Sequence, residues 1–566
     1  MSEQPEMTRD AALERLTAPG QPWALTRVEQ YGRTCRAFEH APPTLRELYE
    51  EARSDLPFLV LGDERWSYEE TWQEAARIGH LLVEECGVVP GDRVAISMRN
   101  YPEWVLAFMA ATSVGAIAVA MNALWTPDEM GYALEDSAPK ALFIDGERAA
   151  RLSDCEAIPE SMRTFVVRSR EPLPEAAETL GEVLSGIPRG THMPQVSMAP
   201  DDDAVILYTS GSTGHPKGAV SCHRAVLSAL LSWELDAHAG LLMQGQEPPP
   251  QTTAENQGAT LLAVPLFHAT GSHAVFLASY RQQRRLVSMY KWDVAEAAEL
   301  IERERITTVV APAAMTGDLV ARAREDGRDL SSLVLVGGGG APRAPEQVRG
   351  IAATFANAMP NTGWGMTETN AIGTGIGGQD YLDHPDSSGR ASAVLDLRVV
   401  DEDGHALPAG ERGELQVRGT SVIRGYWNRP DANAETFVDG WLRTGDVAVI
   451  DSEGYLRIVD RIKDLVIRGG ENIGCGAVEA AILEYPGVLE ASVYGVPDAR
   501  LGEEVGASIH ADGRVDADDL RRFLASRLAR FEIPRYLHFV DEPLPRTASG
   551  KILKRTLRDQ AAARAG

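Results

Sequence analysis

Residues 104–125 form a run of 22 positions whose only polar side chains are Thr112, Ser113 and Asn122. A membrane-spanning helix needs about 20 apolar residues in succession. Here nearly half of the run is Ala, Gly, Ser or Thr, and Gly115 interrupts its middle. The run therefore divides into a buried helix over 102–114, stopped at Gly115, and a buried strand over 116–121. A helix and a strand this apolar must both be covered by other elements. Helices layered on mostly parallel, buried sheets meet that need, which is an α/β fold.

The flanking residues extend the alternation. Ser67 and Glu70 have capping-box spacing and open an amphipathic helix that runs to about Gly87. A Pro90-Gly91-Asp92 turn leads into a strand over 93–98. Residues 244–258, with three consecutive prolines and several Gln, read as an exposed loop. After about Asp396 the pattern changes to short strands broken by Asp403-Gly404, Ala409-Gly410, Asp439-Gly440 and Glu453-Gly454, the mark of a small β-rich unit. From Arg461 short strands mix with helices. We expect an N-terminal domain over 1–460 and a C-terminal domain over 461–566, with no internal repeat.

Composition narrows the function. The chain of 566 residues carries 82 acidic and 55 basic groups, a net charge of -27. Such a surface repels nucleic acid and anionic membranes at long range. The five cysteines are far apart with no C-x-x-C, which excludes a disulfide framework and a cysteine-rich metal site and suggests a reducing cytosol. The polar start, Met1-Ser2-Glu3-Gln4, does not read as a signal peptide, so a cytoplasmic protein is expected.

The sharpest local signal is Val205-Ile206-Leu207-Tyr208-Thr209-Ser210-Gly211-Ser212-Thr213-Gly214-His215-Pro216-Lys217-Gly218. A strand enters a loop of glycines, hydroxyls and one Lys. Glycine lets backbone N–H groups turn toward phosphate oxygens, hydroxyls add donors, and Lys adds charge. The Walker A spacing G-x-x-x-x-G-K-[ST] does not fit, which demotes kinases and P-loop ATPases. Lysine is scarce: Lys140, Lys217, Lys291, Lys463, Lys551 and Lys554 are the only six among the 55 basic residues. Where Arg has nearly replaced Lys, a retained Lys marks a site that wants a compact ammonium.

The loop resembles the signature of the AMP-forming acyl-adenylating superfamily, which includes acyl-CoA synthetases, peptide-synthetase adenylation domains and firefly luciferase. Further segments resemble its later motifs in order. They are Pro265-Leu266-Phe267-His268-Ala269-Thr270-Gly271, Gly338-Gly339-Gly340-Ala341-Pro342, Gly363-Trp364-Gly365-Met366-Thr367-Glu368-Thr369, Thr444-Gly445-Asp446, Asp460-Arg461-Ile462-Lys463-Asp464 and Pro545-Arg546-Thr547-Ala548-Ser549-Gly550-Lys551. The early Gly91-Asp92-Arg93-Val94 run fits as well. The resemblance covers residues 45–566, and its motifs hold three of the six lysines, Lys217, Lys463 and Lys551. It implies two helix-flanked sheets, a small β-rich subdomain and a small mobile α+β C-terminal domain.

It also implies ATP, Mg²⁺ and coenzyme A. By resemblance, Thr209, Ser210, Gly211, Ser212, Thr213, Gly214 and Lys217 embrace the β- and γ-phosphates. Thr367 reaches the α-phosphate, and Glu368 holds Mg²⁺, which favours hard oxygen ligands. Trp364 covers the adenine, with Gly340, Ala341, Pro342, Gly365 and Met366 around it. Asp446 accepts the ribose hydroxyls, a fit for a carboxylate with two oxygens, and Arg461 sits beside ribose and α-phosphate. Lys551 stabilises charge during adenylation, Lys463 is the hinge about which the C-terminal domain turns, and Lys554 reads as a solvated cation. His268 resembles the gate between acyl group and thiol. Gly271, Ser272, Gly339, Gly363 and Gly470 are expected at the acyl and thiol pocket, giving it an apolar, glycine-rich wall with room for a long or bulky acid.

One segment departs from the pattern. Gly474-Cys475-Gly476-Ala477 stands where relatives have Pro and a Glu, so the turn is expected to be loose and Cys475 a small buried residue. The second motif lacks the Asp that amino-acid-activating domains carry, which disfavours α-amino acids. The expectation is an AMP-forming acyl-CoA synthetase for a hydrophobic carboxylic acid, medium- or long-chain or bulky and cyclic. The alternatives are an acyl-AMP ligase loading a carrier-protein thiol and a nucleotide-binding regulator without turnover. The oligomeric state is left open, a homodimer included.

Overall fold

The computed structural model describes residues 7–565 apart from 156–157, 160, 175, 210–215, 247–249, 340–342, 344, 463, 469–470, 499, 514 and 548–551. The apolar run folds as expected. Pro102–Ser113 is a helix, Gly115 stops it at φ +75, and Ile117–Ala120 is a fully buried strand. Only a residue without Cβ tolerates that stop readily, since an added Cβ would also lie 3.0 Å from Pro90. Among the described residues, no helix is long and apolar enough to cross a membrane.

Two large sheets carry the N-terminal part. One runs Gly425–Tyr426, Lys217–Cys222, Asp203–Thr209, Ile117–Ala120, Arg93–Ser97, Ala141–Asp145, Arg163–Val167 and Ala177–Thr179. The other is centred on Met359–Thr362, Leu335–Gly337, Thr308–Val310, Ala259–Leu262, Arg285–Ser288 and Pro57–Leu61, all parallel. Antiparallel strands close only the margins of each. The helix Pro102–Ser113 lies in the core shared by both. Trp104 stacks on Phe108 with ring centroids 5.1 Å apart, and Phe276 meets Phe108 edge-on at 5.9 Å. Burying such side chains contributes about 1.5–3 kcal/mol each. This apolar contact fixes the two sheets against one another.

The helix Tyr68–His80 opens with the Ser67/Glu70 capping box, and Leu81–Glu85 continues it as a wider π turn that ends before Gly87. Beyond residue 395 a five-stranded antiparallel sheet forms from Leu395–Val400, Arg412–Gly419, Phe437–Val438, Trp441–Ile450 and Leu456–Arg461. Residues 466–540 build a further sheet, covered by the helices Cys475–Leu483, Ala517–Leu524 and Lys554–Ala565 around a separate apolar core.

The turn after Arg461 differs from expectation. Gly474 and Gly476 do not loosen the chain but let it pass close to Val459, whose atoms would lie 3.1 and 3.3 Å from Cβ atoms added at these positions. Asp460 accepts the backbone N–H of Cys475 and so caps the helix Cys475–Leu483. Cys475 is wholly buried, as expected, with Sγ 3.1 Å from the Asp464 carbonyl, and burial pushes its thiol well above the ordinary range.

Candidate functional site

In a parallel sheet the chain leaves every strand at the same rim, so the loops after the strands gather there. Thr209 ends one such strand, Gly338-Gly339 follows Leu335–Gly337, Gly363 follows Met359–Thr362, and the segment to His268 follows Ala259–Leu262. Together they border a cleft of about 3390 Å³ that also takes in Asp446, Arg461 and Lys554. A single ligand usually occupies a site of about 300–1,000 Å³, so there is room for more than one.

On one wall, strands Asp203–Thr209 and Lys217–Cys222 pair with Thr209 opposite Lys217, and the Thr209 hydroxyl donates to the Lys217 carbonyl at 3.3 Å. The Lys217 Nζ lies 4.4 Å from the ring centroid of Tyr426. The Tyr426 hydroxyl in turn donates to Glu368 Oε1 at 2.7 Å. One tyrosine thus orders a cation and a carboxylate that are 151 positions apart in sequence. Glu368 is buried at its carboxylate and stands in the short turn Thr367–Thr369, while Thr367 lines the cleft. Burial, and then the Glu368 charge, push the Tyr426 phenol far above its usual range, so it remains a donor.

Also lining the cleft, Asp446 is almost wholly buried and receives two donors. The Trp364 indole N–H reaches Oδ2 at 2.8 Å, and Arg461 Nε reaches Oδ1 at 3.0 Å. Asp446 and Arg461 are directly opposed in the antiparallel pair of Trp441–Ile450 with Leu456–Arg461, where unlike charges attract. The Trp364 ring packs against Gly373, where an added Cβ would come within 2.4 Å of it. Met366 borders the cleft beside Trp364, and an added Cβ on Gly365 would meet the Ala371 carbonyl at 2.4 Å.

The glycines expected to leave space serve a different end. An added Cβ would strike the Pro265 carbonyl oxygen at 2.1 Å from Gly271, the Gly363 carbonyl at 2.7 Å from Gly339, and the Thr374 carbonyl at 2.3 Å from Gly363. Their missing side chains admit neighbouring backbone. Gly339 and Gly363 still border the cleft, but Gly271 and Ser272 do not. Ser272 is fully buried, with Oγ 3.1 Å from the His268 carbonyl and 2.9 Å from His273 Nδ1. These two are corrected to packing positions. His268 borders the cleft, its ring 4.8 Å from that of Phe267.

Lys554 is likewise corrected. It is mostly buried, with Nζ 3.0 Å from Glu479. Burial, the largest single influence, lowers its pKa, but the charges of Glu479, Cys475 and Asp460 and the hydrogen bond to Glu479 together raise it. Ser210, Gly211, Ser212, Thr213, Gly214, Gly340, Ala341, Pro342, Lys463, Gly470 and Lys551 lie outside the described residues. Tyr426 was not among the expected site residues. Its signal was the Gly425-Tyr426-Trp427 run that pairs with the strand of Lys217, a relation visible only once the sheet is formed.

Residues 47–427 match the AMP-binding enzyme family, and residues 477–551 match the AMP-binding enzyme C-terminal domain. A feruloyl-CoA synthase of an Amycolatopsis species is 34% identical over 510 residues, 87% of this chain and 93% of that protein. A long-chain-fatty-acid–CoA ligase of Mycobacterium tuberculosis is 33% identical over 513 residues, 88% of this chain and 94% of the ligase. The solved structure of a Mycobacterium tuberculosis fatty acyl CoA synthetase superposes with a TM-score of 0.69 at 30% identity, covering 92% of this chain and 99% of that one. Likeness over nearly the full length, in sequence and in fold alike, decides the family: the chain belongs to the AMP-binding enzymes, among their AMP-forming acyl-CoA ligases.

Proposed function

We propose that the protein joins a hydrophobic carboxylic acid to ATP, releasing pyrophosphate, and then transfers the acyl group from acyl-AMP to the thiol of CoA. The observation that carries this reading is that the Lys217–Tyr426–Glu368 chain of contacts and the Trp364–Asp446–Arg461 cluster line one cleft. A carboxylate is a poor electrophile and repels the polyphosphate it must attack. Lys217 supplies positive charge for the phosphates, and Asp446 supplies acceptors for ribose hydroxyls. Glu368, with the hydroxyls of Thr209 and Thr367 nearby in the cleft, offers the hard oxygen donors that suit Mg²⁺. When bound, the ion would neutralise charge on the phosphates. Lys551 is assigned to the adenylation step and Lys463 to the hinge, between an N-terminal domain over 1–460 and a C-terminal domain over 461–566. His268 is assigned to the passage between acyl group and thiol.

An acid with an apolar body fits this reading. It is supported by the missing acid beside His268 in the Phe267-His268-Ala269 run and by relatives whose names specify feruloyl and long-chain fatty acyl groups. The test is acid-dependent pyrophosphate release across fatty, aryl and polycyclic acids, with and without free CoA and Mg²⁺. Release with at least one hydrophobic acid, followed by thioester with free CoA, is the expected result. Release without thioester would favour a carrier-protein thiol as acceptor, and no release with any acid would overturn the proposal. The Lys551→Ala variant should lose adenylation yet still convert supplied acyl-AMP and CoA into thioester.

A further inference from the structure

Directly behind the Thr367–Thr369 turn lies Asn370, fully buried and in the left-handed conformation at φ +57. Its backbone N–H closes the turn on the Thr367 carbonyl at 3.1 Å, and that of Ala371 reaches the Met366 carbonyl at 2.9 Å. The side-chain amide makes three further bonds. Oδ1 accepts from Ser221 Oγ at 2.8 Å and from His273 Nε2 at 3.1 Å, and Nδ2 donates to the Ser421 carbonyl at 2.9 Å. Each partner sits on a segment that carries a site residue. Ser221 is on the strand that begins with Lys217, and His273 is on the helical segment after His268. Ser421 is on the loop that leads to Tyr426, where Ile423 N–H also bonds the Glu368 carbonyl at 3.0 Å.

The protonation pattern is settled by the chemistry. An amide oxygen only accepts, so His273 carries its proton on Nε2 and accepts at Nδ1; the single Ser272 hydroxyl proton then goes to Nδ1 at 2.9 Å and not to the His268 carbonyl at 3.1 Å. Burial, the largest influence, lowers His273 to about 4, so the ring is neutral and this tautomer persists at neutral pH. All members of the network are buried, and a buried polar group left without a partner is costly, so the set holds together as a unit.

We propose that Asn370, held by neutral His273, is the positioning residue that fixes the Thr367–Glu368 turn relative to Lys217 and Tyr426. The assignment rests on the reading of Glu368 as the metal-binding carboxylate of adenylation. It goes beyond that reading by naming residues that touch neither substrate nor metal.

The test uses the full-length protein and measures the two half-reactions separately, beside backbone hydrogen exchange without ligands. Asn370→Gly keeps the left-handed backbone and deletes the amide. Its pyrophosphate release should fall about 10- to 100-fold, the range for losing a group that orients a ligand. Thioester formation from supplied acyl-AMP and CoA should stay within about twofold of the parent, while amides 367–371 exchange faster. His273→Leu should behave likewise, and His273→Gln, whose amide N–H can reach Asn370 Oδ1, should recover most of the rate. Unchanged pyrophosphate release in Asn370→Gly, or an equal fall in both half-reactions, overturns the proposal. Should Asn370→Gly not fold, the two His273 variants decide, and equal behaviour of Leu and Gln overturns it. Glu368→Gln run alongside separates the two readings: adenylation that survives this change removes the role of Glu368 itself, whatever Asn370 does.

Discussion

The indole N–H of Trp364 donates to Asp446 Oδ2 at 2.8 Å, while Arg461 holds the other oxygen of the same buried carboxylate at 3.0 Å. The residue expected to cover a base and the residue expected to grip a sugar are therefore tied before any nucleotide arrives. Each carboxylate oxygen has a second lone pair, so these donors orient Asp446 without using its full accepting capacity. Asp446→Ala should weaken ATP binding at least tenfold by calorimetry. It should also lower stability by about 1–3 kcal/mol, because the indole N–H loses its buried acceptor. Trp364→Phe should cost less in affinity, since Arg461 still orients the acid. ATP binding unchanged in Asp446→Ala would remove the ribose assignment.

Tyr426 acts on Lys217 through its ring and on Glu368 through its hydroxyl, and the two effects are separable. Tyr426→Phe keeps the ring beneath Lys217 and deletes the donor to Glu368. A hydrogen bond to a charged group contributes about 1.5–3 kcal/mol. The Mg²⁺ concentration that half-saturates pyrophosphate release should therefore rise about tenfold. Tyr426→Leu, which loses the ring as well, should also raise the KM for ATP. If Tyr426→Phe leaves the Mg²⁺ titration unmoved, the hydroxyl has no part in setting Glu368.

Acid should destabilise the protein earlier than its carboxylates alone would require. Burial lowers both His223 and His273 to about 4, against an ordinary value of about 6.5. A depressed histidine means that the unfolded chain binds protons the folded chain refuses. The contribution of these two rings to stability is therefore flat above about pH 6.5 and falls as pH drops toward 4, by up to about 3 kcal/mol for each ring. Urea unfolding from about pH 7 to about pH 4.5 would show this slope, and His223→Gln should flatten roughly half of it. An unchanged slope in that variant would mean that His223 does not titrate in this window.

The architecture was legible because it follows from short-range chemistry. Gly115 can stop a helix, Ser67 and Glu70 can cap one, and an apolar strand must be covered, all of which can be argued within a few residues. Lys217, Glu368, Trp364 and Asp446 were legible as candidates because each sits in a recognisable local run. What escaped the sequence was contact between distant segments. Nothing near Tyr426 states that its hydroxyl meets Glu368, and nothing near Asn370 states that three segments converge on its amide. Lys554 looked solvated because its partner, Glu479, is 75 positions earlier. Glycine was the most misleading residue, since an absent side chain can leave space for a ligand or admit another backbone, and composition does not distinguish the two.

Gly271 makes that distinction testable. A Cβ there would lie 2.1 Å from the Pro265 carbonyl oxygen and 3.0 Å from the Leu266 nitrogen, both backbone atoms that cannot rotate away. Relief requires moving the Pro265–His268 chain or the helical segment Thr270–Leu277, and small-to-large changes of this kind typically cost about 1–3 kcal/mol. Gly271→Ala should therefore lower the thermal midpoint and the soluble yield, while the folded fraction retains the parent's order of preference among acids of different length. Ala313→Leu, at a residue that borders the cleft, provides the contrast by adding bulk there. A Gly271→Ala protein as stable as the parent but restricted to shorter acids would return Gly271 to the wall of the acyl pocket.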